Sequence, residues 1–160
     1  MRIRRNRRLG GIMATIHNNE PRDAAYSKDQ SEYYADKKEG WGWLTKESKS
    51  IFAGKFQKDL FIFAMAIGKH RGKKSPLNPP KLSNVRVDAM TEKQKWALLS
   101  IGISENKNLL CLKDESPLYS NAEEYAHEGI KTLLSHVERY GINYPKALEA
   151  ELKELLEEGK

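Results

Sequence analysis

The side chains with the clearest chemical potential fall in one run. Lys69, His70, Arg71, Lys73, Lys74 and Lys81 lie in a stretch with no acidic residue. Clustered Lys and Arg can contact nucleic-acid phosphates, which give affinity without sequence information because every phosphate presents the same oxygens. The same charges suit the negative end of a helix dipole, so capping and solubility account for them equally well. Arg86 and the arm residues Arg4, Arg5, Arg7 and Arg8 complete the candidate nucleic-acid-binding set. No helix shows the Arg- and Asn-rich face that reads base edges, so any DNA contact is expected along the backbone and weakly sequence-specific.

Other chemistries find less support. The histidines are His17, His70, His127 and His136. His127 and His136 are nine residues apart, about 180° around a helix, and cannot share a metal from one face. Glu123 and His127 have a metal-compatible i, i+4 spacing, but a solvated helix pair is the favoured reading. Gly68 and Gly72 lack the Gly-Lys-Ser/Thr ending of a phosphate-binding loop. Asp59 beside Lys58, or His70 beside Arg71, does not by itself make a nuclease centre. Cys111 sits in an apolar run and reads as an inert buried thiol. No cofactor is implied, and the expectation is a protein without enzymatic activity.

The charge that surrounds the cluster is uneven. The chain of 160 residues has a net charge of +6. Residues 1–22 carry +5, residues 23–113 carry +7, and residues 114–160 carry −6. A polyanion would meet the front of the chain and be repelled by the rear. Met13-Ala14-Thr15 offers an alternative initiator, which would remove the arginines of the arm. No apolar h-region follows those arginines, so a secretory signal is not expected. Leu60–Ile67 is too short for a membrane span. One cysteine cannot form an internal disulfide, which points to a reducing, cytoplasmic compartment. Neither a membrane nor a particular oligomeric state is specified.

The elements that must position these residues read as a mainly α, compact single helical domain with short extended segments and a disordered basic N-terminal arm. Residues 1–40 are expected to be an irregular leader, with a short helix over Ser27–Lys37. Residues 41–142 form the helical core, and 143–160 an acidic amphipathic helix packed on or extending from it. Trp41 and Trp43 lid the core or, alternatively, stack on a base. Thr45 begins a helical stretch, and apolar residues at 52, 56, 60, 63, 64 and 67 place the central buried helix over Lys58–Ile67, with Gly68 as its left-handed cap. Thr91 and Gln94 form a capping box, and Asn121 with Glu124 forms a second. From Ala122 to Tyr140 the helical period is clean. Pro145 opens a last helix striped by Leu148, Leu152, Leu155 and Leu156.

The string from Gly54 to Gly68, running on through the basic turn to Pro76-Leu77, resembles the signature of small accessory proteins of DNA-phosphorothioation (Dnd) systems. Ala122–Val137, with Glu124-Tyr125-Ala126 and Gly129-Ile130, is similar to a later helix of that family. The likeness covers roughly residues 50–140 and leaves the leader and last helix outside. It implies an accessory or regulatory role in modification-linked defence, with DNA or protein subunits of a modification complex as partners. Lys58, Asp59, Gly68, Arg71 and Pro76 match the signature and are read as structural first. Two rival readings stand beside it. One is a protein-only adaptor using the acidic final helix and Trp41/Trp43; the other is a metal-dependent nuclease.

Overall fold

The computed structural model describes residues 20–34 and 42–159. Strand β1 (Asp23–Ser27) leads into a short helix α1 (Ser31–Tyr34) and, further on, α2 (Trp43–Lys46). The longer elements are α3 (Gln57–His70), β2 (Lys81–Arg86), α4 (Glu92–Asn106), α5 (Ser116–Tyr140) and α6 (Tyr144–Glu158). The fold is mainly α, as the periodicity indicates, with one antiparallel pair of strands among the described residues. No described helix is long and apolar enough to cross a membrane.

The core is organised by α3 against α5. Buried Leu60, Phe61, Ala64 and Met65 on α3 meet Ala122, Tyr125, Ala126, Ile130 and Leu133 on α5 in one cluster. Each large side chain so buried contributes about 1.5–3 kcal/mol. Two glycines set the spacing. A Cβ on Gly129 would lie 1.7 Å from the Ala64 carbonyl oxygen, and one on Gly68 would lie 2.1 Å from that of Tyr125. The backbones therefore touch. Gly68 is a packing residue inside α3 rather than its cap, and the positive φ of 62° past the helix end belongs to Gly72.

Other expectations are corrected by packing. The leader assigned to residues 1–40 is not irregular throughout, because Ala24, Tyr26 and Tyr34 are buried in the core. Tyr26 stacks on Tyr34 at 4.2 Å between ring centres. β1 pairs with β2 in the register Ala24↔Val85 and Tyr26↔Leu82, which leaves Ser83 and Asn84 opposite Ala25 as a bulge. Thr45 lies within the short α2, and a turn separates it from α3. α5 starts at Ser116 with Pro117 in its first turn, so Asn121 and Glu124 are interior rather than a cap. The Thr91–Gln94 capping box is present, with Gln94 N–H donating to Thr91 Oγ1 at 3.2 Å and Thr91 N–H to Gln94 Oε1 at 2.9 Å.

α6 is rooted and then leaves the core. Tyr144 is 1% exposed and Leu148 packs against the cluster, but Leu152, Leu155 and Leu156 are 42%, 45% and 72% exposed. Trp43 also packs on the core as a lid. Trp41 and Arg4, Arg5, Arg7 and Arg8 lie outside the described residues.

Candidate interaction surface

Helix α3 ends in the basic turn, with Lys69 and His70 in its last turn and Arg71 as the cap, so the cations meet the negative end of the helix. Distant carboxylates then divide the run. On one side Glu105 of α4 takes Lys69 Nζ at 3.0 Å and Lys74 Nζ at 3.3 Å. Tyr125 donates its hydroxyl to the same carboxylate. Both ammonium groups also lie over the Tyr125 ring, at 5.1 and 5.4 Å, and Lys74 donates to Asn121 Oδ1 at 2.7 Å. Partial burial pushes the Glu105 carboxyl up, but the hydrogen bonds from Tyr125, Lys69 and Lys74 outweigh it and hold it at about 2. It is a full anion at neutral pH.

On the other side Glu151 of α6 takes Arg71 Nη2 at 3.0 Å, with His70 Nε2 at 3.8 Å. Arg71 Nη2 also reaches His136 Nε2 at 3.3 Å, and His136 Nδ1 lies 3.2 Å from the Tyr144 hydroxyl. Guanidinium has only donors, so Nε2 accepts and the Nδ1 hydrogen points to Tyr144. Burial and the Arg71 charge lower the His136 pKa and keep the ring neutral, consistent with that tautomer. Burial, with Glu151 close by, pushes Tyr144 up to about 12.

The acid-free run is therefore not acid-free in space. Of its cations only Lys73 and Lys81 are exposed without an ion pair within 4 Å among the described residues, and Lys81 still acts at longer range on Glu123. Arg86, at the far end of β2, is held by Asp88 through Nε at 3.0 Å and Nη2 at 2.5 Å. These are partly exposed pairs, each worth ~0–1 kcal/mol. Their consequence is to reduce free positive charge, although a guanidinium N–H outside a pair keeps its donor capacity. Glu105, Glu151, His136 and Tyr144 were not singled out from sequence for this region. Arg71 and Glu151 are 80 positions apart, and only the four-residue steps His136, Tyr140 and Tyr144 hinted at a shared face.

The remaining sequence candidates have structural partners. Glu123 and His127 are not a solvated pair: Glu123 Oε1 accepts from Ala25 N–H at 2.8 Å, and His127 Nδ1 lies 3.1 Å from Ser27 Oγ. Both tie β1 to α5. Asp59 accepts from Phe56 N–H at 3.3 Å and from Gln94 Nε2 at 2.8 Å. Cys111 is partly buried, and its thiol donates to the Asn108 carbonyl at 2.9 Å.

A second surface lies along α6. A groove of about 370 Å³ is lined by Ile51 and Phe63 of the core and by Tyr144, Leu148, Leu152 and Leu156 of α6. Its apolar face continues onto exposed Leu155, and Ile142 just before the helix is 71% exposed. The helix that carries it holds Glu149, Glu151, Glu154, Glu157 and Glu158 against Lys146 and Lys153, a net of −3.

A family model described as DNA sulphur modification system-associated protein 4 matches residues 34–158. That span takes in α6, which the likeness drawn from sequence left outside. No curated protein and no solved structure matches the chain.

Proposed function

The chain belongs to the family of DNA sulphur modification system-associated protein 4, and on that basis we propose that it serves such a system as a non-enzymatic adaptor. Its work is to dock a protein component of the system against the groove between α6 and the core. The observation that carries this reading is the leucine face of α6, uncovered beyond Leu148 on a helix with an acidic surround. An exposed apolar stripe rimmed by charge is characteristic of a protein-binding surface. The charge selects the occupant: a partner helix with an apolar face flanked by Lys or Arg, laid into the groove. Co-expression with the components of the modification system, followed by purification of the complex, tests it. Leu152→Asp with Leu156→Asp should abolish co-purification while leaving the circular dichroism spectrum unchanged. Retention of the complex by that variant would remove the reading.

Contact with the DNA backbone is the second reading, and exposed Lys73 and Lys81 favour it. Two phosphate contacts would give a log–log salt slope of only about −2, so their share of affinity is small. Charge reversal at both positions, followed by titration of duplex DNA at several salt concentrations, measures that share. An unchanged slope would remove these two lysines from any interface.

A further inference from the structure

A third surface lies at the opposite end of α3 from the basic turn. Phe56 precedes the helix in an extended conformation, and its backbone N–H is taken by Asp59. This position turns the ring away from the core and leaves it 71% exposed. Beside it is a groove of about 330 Å³ lined by Phe56, Gln57, Lys58, Asn84, Arg86 and Ala89, at the low end of the ~300–1,000 Å³ of small-molecule sites. The lining holds two cations and no carboxylate.

The groove is also organised from both sides. Asn84 belongs to the bulge of β2, a feature that re-aims side chains out of a regular strand, and it is exposed. Arg86 is fixed by its two bonds to Asp88 and by Asp23 Oδ1 at 3.7 Å from Nε; these contacts use Nε and Nη2 and leave Nη1 outside them. Lys58 donates to the Ala89 carbonyl, and its ammonium lies 5.9 Å from the centre of the Phe56 ring. The acids near it, Asp59, Asp88 and Asp23, are all engaged by protein donors, the last two by Arg86 itself at 2.5 and 3.7 Å.

An exposed ring, an exposed side-chain amide and two positioned cations around one apolar floor match the parts of a nucleotide. We propose that this groove holds one unstacked nucleotide of single-stranded DNA, with the base on the Phe56 ring, Asn84 at the base edge, and Arg86 and Lys58 at the phosphate. Base–aromatic stacking tolerates any base, so the ring provides affinity and the amide provides what preference there is. Duplex DNA is a poor fit because its bases stay stacked on one another. The site is separate from the α6 groove and stands or falls without it.

Fluorescence anisotropy of a labelled oligodeoxythymidylate with the full chain tests the site. Phe56→Ala should weaken binding about 5- to 150-fold, the span of one lost stack, and Phe56→Trp should keep it. Asn84→Asp, which places a carboxylate in the groove, should weaken binding as well. Leu152→Asp with Leu156→Asp should leave it unchanged, which separates this result from failure of the adaptor reading. Phe56 and Asn84 are exposed, so thermal melts of the variants should overlay the parent. The proposal is overturned if the parent chain does not bind the single strand, if Phe56→Ala binds as tightly as the parent, or if a duplex of the same length loses as much affinity on that substitution.

Discussion

Helix α3 has 14 residues, about 21 Å along the axis, and its two ends treat charge differently. At the C-terminal end five basic side chains crowd a short turn, and Glu105 and Glu151 arrive from α4 and α6 to close on them. At the N-terminal end the sequence Phe56-Gln57-Lys58 draws no attention, yet the ring stands clear of the core beside a groove whose own lining has no carboxylate, with Asp88 and Asp23 holding Arg86 from outside it. Density of charge along a chain is thus a poor measure of charge offered to a ligand. Cations next to a helix end are attractive to the helix itself and to any acid that folding brings near.

The contrast can be broken most severely at the helix pair on which both ends depend. Gly129→Val puts a side chain where Ala64 O already sits, and the expected loss is about 3 kcal/mol or more of unfolding free energy in urea. Stability equal to the parent would contradict the contact. A more selective break is Glu105→Gln, which frees Lys69 and Lys74. It should cost about 1 kcal/mol near neutral pH and increase retention on a heparin column. The Glu105 carboxyl falls from an ordinary 4.5 to about 2 on folding, so its contribution is complete above pH 4.5 and fades as pH drops towards 2. The gap between parent and variant should narrow over that interval.

A smaller effect sharpens the comparison by separating internal from external charge. Burial lowers the pKa of both His127 and His136. The unfolded chain therefore binds protons that the folded chain refuses, and stability is full above the ordinary 6.5 and declines as pH falls below it. Denaturation midpoints between pH 7.5 and 5 should show this decline, and replacing both histidines with Asn should flatten it. Smallest of all is the stability change for Leu152→Asp with Leu156→Asp, under about 0.5 kcal/mol, because those leucines touch little of the core. A large drop in midpoint would mean that the tip of α6 is part of the fold rather than a surface for a partner.

Helices with a continuous apolar period were legible before any coordinates. α3 differs from its expected span by only a few residues, and the Thr91 cap is where the pattern puts it. Errors came where a residue type has two uses. Gly68 suits a left-handed turn or a helix contact, and only the approach of Tyr125 decides between them. Asn121 and Glu124 satisfy the spacing of a cap, but Pro117 starts the helix earlier. β1 was missed because Ala24-Ala25 lacks the branched residues that signal a strand, and its burial comes from α5 and β2. Of the candidate surface, the cations were legible and their acids were not. The partners of Lys69 and Arg71 are 36 and 80 positions away, beyond the reach of any local pattern.

The attachment of α6 gives it the mechanics of a cantilever. Tyr144 clamps its base, Leu148 packs on the cluster and Glu151 hooks its middle to Arg71; past that hook the ion pair shown among the described residues is the internal Lys153–Glu149. A force applied at Leu155 or Leu156 is carried inward to the Glu151 carboxylate, and through it to the end of α3, before it reaches the packed Leu148. Dissolved ions loosen such a hook, so the angle at which the beam projects should respond to the buffer before the rest of the molecule does.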